Sequence, residues 1–109
     1  LLCDVEGIAC IQRPAAETDN YAYFPIVISK PYPLSRDELF SALKKQNIFA
    51  RKYFYPIMTD LAFYQQYQAE TPEAKLLLEH VFCLPMYPAL ADAEIQQIVK
   101  VIKMVANND

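Results

Sequence analysis

The sequence predicts a small α+β domain in which a largely antiparallel sheet carries helices on one face. Hydrophobic residues make up 54% of the 109 residues and charged residues 21%, which is typical of a chain that buries a core. Stretches rich in aromatic and β-branched residues alternate with stretches that have apolar residues at helical spacing. Prolines and polar clusters separate them. This order predicts one domain, residues 1–109, built from short elements.

Two strands are predicted before the first helix. Residues 5–12 (VEGIACIQ) and 21–29 (YAYFPIVIS) are rich in β-branched and aromatic residues. Pro25 has no backbone N–H to donate to a neighbouring strand. We therefore expect the second strand to lie at an edge of the sheet or to carry a bulge at Pro25.

The first helix has clear signals at both ends. Ser35 is a good N-cap, and Glu38 three residues later completes a capping box. Asn47 can adopt the left-handed conformation that ends many helices. Between them, the apolar residues that share one helical face are Leu39, Phe40 and Leu43.

The segment 48–56 (IFARKYFYP) predicts a strand with two different faces. Alternate side chains of a strand share a face. One face carries Ile48, Ala50, Lys52 and Phe54, and it is expected to enter the core with Lys52 at an edge. The opposite face carries Phe49, Arg51, Tyr53 and Tyr55. An arginine flanked by aromatic rings suits a phosphate or carboxylate, because its planar guanidinium can donate two parallel hydrogen bonds.

The remaining elements are two helices, a strand and a final helix. Thr59 or Asp60 is expected to cap a short helix over 61–67, and Thr71-Pro72 begins another. Residues 81–88 (VFCLPMYP) predict the last strand. Asp92 is expected to cap the last helix, whose apolar positions recur at helical spacing: Ile95, Ile98, Val99, Ile102 and Val105.

Composition and charge exclude several classes of function. The net charge of −3 argues against nucleic acid or an anionic membrane as a partner, and no apolar run is long enough for a transmembrane helix. The start of the chain does not have the pattern of a signal peptide. With one glycine, Gly7, the chain has no Gly-rich loop for phosphate.

Histidine and cysteine usage predicts no metal site and no catalytic triad. His80 is the only histidine, and it ends a helical stretch. The three cysteines, Cys3, Cys10 and Cys83, include no C-x-x-C pair. This argues against zinc or a disulfide framework and favours buried thiols in a cytoplasmic protein. Scattered carboxylates and solvated lysines likewise predict no catalytic residue within this chain.

The eight tyrosines and six phenylalanines are the strongest compositional signal. They could fill a small core and line a subunit or domain interface, where Tyr and Arg are enriched. They could instead contact a ligand together with Arg51. Composition alone leaves both interpretations open.

Three ordered blocks resemble the C-terminal part of the sugar-nucleotide aminotransferases of the DegT/DnrJ/EryC1/StrS family. The blocks are NYAYFPI (20–26), SRDELFSALKKQNIFARKYFYP (35–56) and VFCLPMYPAL (81–90). The resemblance covers nearly the whole chain from about residue 8 onward. The amino-acid sequences of the first two blocks most resemble those of family members that act on dTDP-4-keto-6-deoxyhexoses.

The resemblance implies the smaller, C-terminal domain of a type I pyridoxal-phosphate (PLP) aminotransferase. In such an enzyme the large domain, which this chain lacks, carries the Schiff-base lysine and most contacts to PLP. We expect no cofactor to be bound by this part alone. The parent would be a cytoplasmic homodimer that moves an amino group from a donor such as glutamate to a nucleotide-linked keto-deoxysugar, in amino-sugar, O-antigen or lipopolysaccharide biosynthesis.

The resemblance also implies which residues face the nucleotide sugar. These are Arg51, Tyr53 and Tyr55, together with Tyr21 and Tyr23. Family members often have a histidine shortly after the motif's proline, but here Ile57-Met58-Thr59 follow Pro56, so no role tied to that histidine transfers. A free-standing nucleotide-sugar-binding or dimerisation module without catalysis is the alternative, and a purely structural interaction domain is a third hypothesis.

Overall fold

A computed structural model of the chain describes residues 1–67 and 69–107. Within them the elements are β1 (Ile8–Cys10), β2 (Phe24–Ile28), α1 (Arg36–Lys45), α2 (Pro72–His80), β3 (Val81–Leu84) and α3 (Asp92–Ala106). Two single turns of 3₁₀-helix, Met58–Asp60 and Gln65–Tyr67, lie between α1 and α2. The predicted α+β class is confirmed.

The sheet has three antiparallel strands in the order β1-β2-β3. The expectation that the strand containing Pro25 lies at an edge is wrong, because β2 is central. However, β1 ends at Cys10, opposite Ile26, so at Pro25 the strand has only β3 as a neighbour. A residue without an N–H is tolerated where one side of the strand is unpaired.

The core joins one face of the sheet to α1 and α3. Phe82 of β3 lies opposite Ile26 in the register, and both side chains are fully buried. Alternation along a strand places Ile28 and Leu84 on the same face. The helices pack against this face through Leu39, Leu43, Ile98, Val99 and Ile102.

Tyr32 ties the connector after β2 to the last helix from inside the core. Its side chain is 1% exposed, and its hydroxyl donates a hydrogen bond of 2.9 Å to the Ile102 carbonyl oxygen. Burial raises the pKa of Tyr32 to about 12, because the ionised form would lose its solvation. The phenol therefore remains a donor through the neutral pH range.

Most helix ends follow the predicted signals. The Ser35 hydroxyl and the Glu38 carboxylate form the expected capping box, and Asn47 adopts φ 60° after α1. The second helix begins at Pro72 as predicted. The last helix begins at Asp92, so its cap is Ala91 and not Asp92. The Glu94 carboxylate accepts a hydrogen bond of 2.8 Å from the Ala91 N–H.

Several predicted elements are shorter or absent. Residues 48–56 do not form a strand, since only Arg51 pairs with β3. The segment 61–67 is not an α-helix, and it includes a single 3₁₀ turn at its end. The first strand begins at Ile8, after the turn at Gly7, and the last ends at Leu84 because Pro85 cannot continue the ladder.

The cysteines occupy three different environments. Cys83 is buried in β3, as expected for a structural thiol, and Cys10 is half-buried. The expectation is wrong for Cys3, which is exposed near the start of the chain. Over the described residues, no helix is long and apolar enough to cross a membrane, and no three His, Cys, Asp or Glu side chains are grouped to hold a metal ion.

Replacement of Tyr32 by phenylalanine is expected to lower the free energy of unfolding by about 1 kcal/mol at neutral pH, because the hydrogen bond to Ile102 is lost. In the unfolded wild type, Tyr32 loses its proton once the pH exceeds its usual pKa of 10.0, whereas the folded protein keeps the proton until about pH 12. The free energy of unfolding of the wild type therefore falls as the pH rises from 10.0 towards about 12. The difference between wild type and variant should therefore shrink in this window. Urea denaturation at neutral and alkaline pH measures it, with exposed Tyr67→Phe as control. A difference that does not change with pH would contradict the prediction.

Gly7 is expected not to tolerate even alanine. It adopts φ +81°, and a Cβ atom there would lie 2.4 Å from both the Ser29 carbonyl oxygen and the Tyr32 nitrogen. These are backbone atoms that cannot rotate away. Thermal unfolding of Gly7→Ala should show a loss of more than about 2 kcal/mol, whereas Ala15→Ser in the exposed loop should be neutral. Unchanged stability of Gly7→Ala would contradict this account.

Candidate functional site

A cleft of about 380 Å³ lies where the segment after α1 meets the end of β3. Three tyrosines and a phenylalanine line it around one guanidinium: Tyr23, Phe49, Tyr53, Tyr87 and Arg51. The remaining lining comes from Ala22 and from residues 83–86. The cleft therefore combines flat apolar surfaces with one positive charge.

The backbone holds Arg51 rigidly at the edge of β3. Its N–H donates to the Cys83 carbonyl at 2.9 Å, and the Cys83 N–H donates back at 2.8 Å. Directly paired residues of antiparallel chains point to the same side of a sheet. Phe82, the neighbour of Cys83, points into the core, so Arg51 emerges on the opposite side.

The alternation predicted for this segment holds only as far as Arg51. Ile48 and Ala50 are buried, while Phe49 and Arg51 are exposed. Beyond that point the chain turns, closed by a hydrogen bond of 3.1 Å from the Tyr55 N–H to the Lys52 carbonyl.

Because of that turn, the prediction that Phe54 enters the core is wrong: its side chain is 70% exposed. The turn also removes the following residues from the face on which strand alternation would have placed them.

Aromatic contacts set the position of the Arg51 guanidinium. Its Nη1 donates to the Tyr53 hydroxyl at 3.2 Å, and its Cζ lies 5.9 Å from the centre of the Tyr53 ring. The Tyr23 ring packs edge-on against Tyr53 with centroids 5.1 Å apart. No described carboxylate forms an ion pair with Arg51. Its other donors are therefore available to an anion entering the cleft.

The structure brings together three of the five predicted site residues. Arg51, Tyr53 and Tyr23 line the cleft, and Tyr55 and Tyr21 are not part of its lining. The Tyr55 ring lies over the Arg36 guanidinium instead, with 5.2 Å between Cζ and the ring centre. Tyr21 is 69% exposed, and its N–H donates to the Asp19 carboxylate.

Sequence reasoning missed the contribution of the segment after β3. Met86 and Tyr87 line the same cleft as Arg51. Their signal lies in the proline-punctuated LPMYP stretch, which the residue pattern predicts to be strand and not the wall of a site. Only the pairing of Arg51 with Cys83 brings this stretch beside the arginine.

A charged group beneath the turn connects it to the start of α1. The Asp37 carboxylate lies 2.6 Å from the Lys52 ammonium and 2.6 Å from Arg36 Nε. The hydrogen bond from Lys52, aided by the charge of Arg36, lowers the pKa of Asp37. Lys52 also lies 4.7 Å above the Phe40 ring. It thus lies at the edge of the core, as predicted.

Comparison with known proteins identifies relatives along almost the whole chain. Residues 1–103 match the sequence model of the DegT/DnrJ/EryC1/StrS aminotransferase family. A dTDP-4-amino-4,6-dideoxy-D-glucose transaminase of Shigella dysenteriae is 39% identical over 106 residues, which are 95% of this chain. The transaminase of the same name in Escherichia coli is 34% identical over 94% of this chain. The chain spans 29% of the length of either relative.

Solved structures with the same fold are also aminotransferases. DesI in the presence of its TDP-sugar product superposes with a TM-score of 0.85 at 24% identity, over 98% of this chain and 28% of its own. The aminotransferase TlmJ of Streptoalloteichus hindustanus superposes with a TM-score of 0.84 at 20% identity, over 98% of this chain and 28% of its own. A DegT/DnrJ/EryC1/StrS aminotransferase from Brucella abortus superposes with a TM-score of 0.81 at 24% identity, over 96% of this chain and 27% of its own. These likenesses establish the fold.

Removal of the Asp37 charge is expected to weaken the anchor beneath the turn. Because the folded state lowers its pKa below the usual 3.8, ionised Asp37 stabilises the protein at neutral pH, and this contribution is lost as the pH falls below 3.8. The carboxylate is 61% exposed, so Asp37→Asn should cost at most about 1 kcal/mol. Urea denaturation should show the difference shrinking in acid, and Glu17→Gln is the control. A difference that persists below the folded pKa would refute the ionic explanation.

Proposed function

Since this chain belongs to the DegT/DnrJ/EryC1/StrS aminotransferase family, we propose that it is the C-terminal domain of a larger sugar-nucleotide aminotransferase. In this proposal it supplies one wall of the substrate site. The observation that carries it is the Arg51 cleft, where a guanidinium is held by Tyr53 on the side of the sheet away from the core. The 29% share of the curated relatives' length is consistent with one domain of a larger enzyme.

The whole enzyme would transfer an amino group from a donor such as glutamate to a nucleotide-linked keto-deoxysugar. Two relatives named dTDP-4-amino-4,6-dideoxy-D-glucose transaminase support this substrate class, as does the TDP-sugar product named for DesI. The product would enter amino-sugar biosynthesis, with O-antigen or lipopolysaccharide as its destination. PLP, the cofactor that the family implies, supplies the electron sink for such transfers when it is bound.

The lysines of this chain do not fit the aldehyde end of that cofactor. A lysine that forms a Schiff base must reach the cofactor without its proton, which burial or a neighbouring cation promotes. Lys52 and Lys103 lie 2.6 and 2.8 Å from carboxylates, so both ammonium groups are engaged in ion pairs within this chain. The other five are exposed: Lys30, Lys44, Lys45, Lys75 and Lys100. We therefore assign the cofactor's lysine to another part of the enzyme.

Arg51 would bind the anionic part of the nucleotide sugar. A pyrophosphate presents several oxygen acceptors, and a guanidinium can donate to two of them in parallel. Tyr53 already takes one donor of Arg51, so the guanidinium is oriented before the substrate arrives. Such preorganisation lowers the entropy lost on binding.

The tyrosines would orient the rest of the substrate. Tyr23 and Tyr53 pack edge-to-face, so their rings offer two inclined apolar surfaces to a deoxysugar or a base. Their hydroxyls can donate to and accept from sugar hydroxyls. Under the proposal these groups bind and orient, and none of them transfers a proton in the reaction.

The parent enzyme is proposed to be a homodimer in which this domain faces the rest of the assembly. Large apolar side chains are exposed along the segment between α1 and α2: Phe54, Met58, Leu61, Phe63 and Tyr67. Several large exposed apolar side chains within one segment are typical of a contact with another domain or subunit.

A free-standing nucleotide-sugar-binding or dimerisation module is the second candidate. Its support is the buried core that the chain forms from its own strands and helices, from Leu2 near its start to Ile102 in α3. This candidate shares the Arg51 cleft with the first and differs only in having no catalysis.

In the full-length protein, Arg51→Ala is expected to raise the KM for the dTDP-linked keto-deoxysugar by about 10- to 100-fold, because one charge-assisted contact contributes about 1.5–3 kcal/mol. Arg51→Lys should recover part of the loss, since it keeps the charge without the planar fork. Steady-state kinetics measures both, with exposed Lys44→Ala in α1 as control.

An unchanged KM in Arg51→Ala would refute the proposed role of the cleft. If the full-length protein binds the dTDP-sugar through Arg51 but catalyses no amino transfer, the second candidate is correct.

A further inference from the structure

Arg36 is the only buried charged residue of the described chain, and its location is unfavourable on local grounds. Its side chain is 5% exposed, and it occupies the first position of α1. The N-terminus of a helix carries partial positive charge, so a cation is disfavoured there. Burial of a guanidinium adds a desolvation cost. Specific contacts must therefore compensate.

Arg36 contacts its neighbour in α1 and two other segments of the chain. Its Nη1 donates a hydrogen bond of 2.7 Å to the Leu78 carbonyl in α2. Its Nε lies 2.6 Å from the Asp37 carboxylate, although this atom is not aligned for a hydrogen bond. The Tyr55 ring covers its guanidinium at 5.2 Å. Arg36 thus connects the two helices with the turn that follows Arg51.

That turn is held at both of its ends by the first two residues of α1. Lys52, at the start of the turn, is bound by Asp37 at 2.6 Å. Tyr55, at its end, lies on Arg36. Tyr53 is located between these two anchors. The direction of its hydroxyl towards Arg51 therefore depends on both.

We propose that Arg36 is a positioning residue that holds the Lys52–Tyr55 turn so that Tyr53 presents Arg51 to the substrate. The inference rests on the function proposed above for the Arg51 cleft. Arg36 does not line the cleft and touches no substrate. It acts through Tyr55, whose ring is fixed against the guanidinium by a cation–π contact.

The proposal explains why Tyr55 shares a sequence motif with Arg51 and Tyr53 but does not line the cleft. One face of the Tyr55 ring lies against the Arg36 guanidinium, although the residue as a whole is 59% exposed. A flat cation matches a flat ring, and a lysine ammonium could not cover the same area.

Kinetics of the full-length enzyme test the proposal. Arg36→Met, which keeps an unbranched apolar stem without the charged guanidinium, is expected to raise the KM for the dTDP-linked sugar about tenfold and to change kcat less than twofold. Arg36→Lys should give an intermediate KM. In a Tyr55→Leu background, Arg36→Met should raise the KM less than twofold further, because the contact is already absent. Lys44→Met, at the exposed end of the same helix, is the control.

A second readout does not depend on substrate. With 3-fluorotyrosine at position 55, the ¹⁹F NMR signal of the enzyme without substrate should shift in Arg36→Met and Arg36→Lys. The signal from a label at Tyr67 should not shift. If Arg36→Met fails to fold, the Arg36→Lys spectrum decides.

The results separate failure of this inference from failure of the proposed function. The positioning role would be overturned if the Tyr55 signal does not shift in a folded Arg36 variant. It would also be overturned if Arg36→Met raises the KM by the same factor in the Tyr55→Leu background as in the wild type. If Arg51→Ala leaves the KM unchanged while the Tyr55 signal shifts with Arg36, the contact is real but the cleft is not the substrate site, and the role assigned to Arg36 in binding is overturned with it.

Discussion

Two backbone hydrogen bonds between Arg51 and Cys83 attach an otherwise irregular segment to the edge of β3. They direct the Arg51 side chain away from the core and place it beside the segment that follows Pro85. The pairing fixes the backbone from which the Arg51 guanidinium reaches the Tyr53 hydroxyl. The cleft therefore depends on one antiparallel bridge, which in turn depends on a well-packed β3 whose four residues are all buried.

The arrangement separates a packed support from the surface that carries the proposed site. One face of the sheet is packed against α1 and α3, where Tyr32 anchors the connector to Ile102. The other side presents a cation and several rings that are not needed by the core. Proteins commonly place recognition residues on loops held by a rigid scaffold. In the proposed enzyme, such a domain would bind and orient the nucleotide sugar, and the cofactor chemistry would take place on residues of another domain.

Local signals predicted the helices well and the segment between them poorly. At the start of α1, the side chains of Ser35 and Glu38 each accept a hydrogen bond from the other residue's backbone N–H. These residues are only three positions apart in the sequence. Pro25 misled because strand order is set by partners distant in sequence. Tyr55 and Phe54 were assigned to faces by strand alternation, but a turn between Lys52 and Tyr55 ended the alternation after Arg51. Arg36 gave no signal in the sequence, because its partner Leu78 is 42 residues away.

The sequence by itself determined the α+β class, the ends of α1 and the start of α2. These follow from contacts within a few residues, from periodicity and from the resemblance of three ordered blocks. Only the tertiary structure decided that β2 is central, that Tyr87 shares the cleft with Arg51, and that Tyr55 lies on Arg36. The physical reason is that strand pairing and burial of a charge depend on groups that folding brings together from distant parts of the chain.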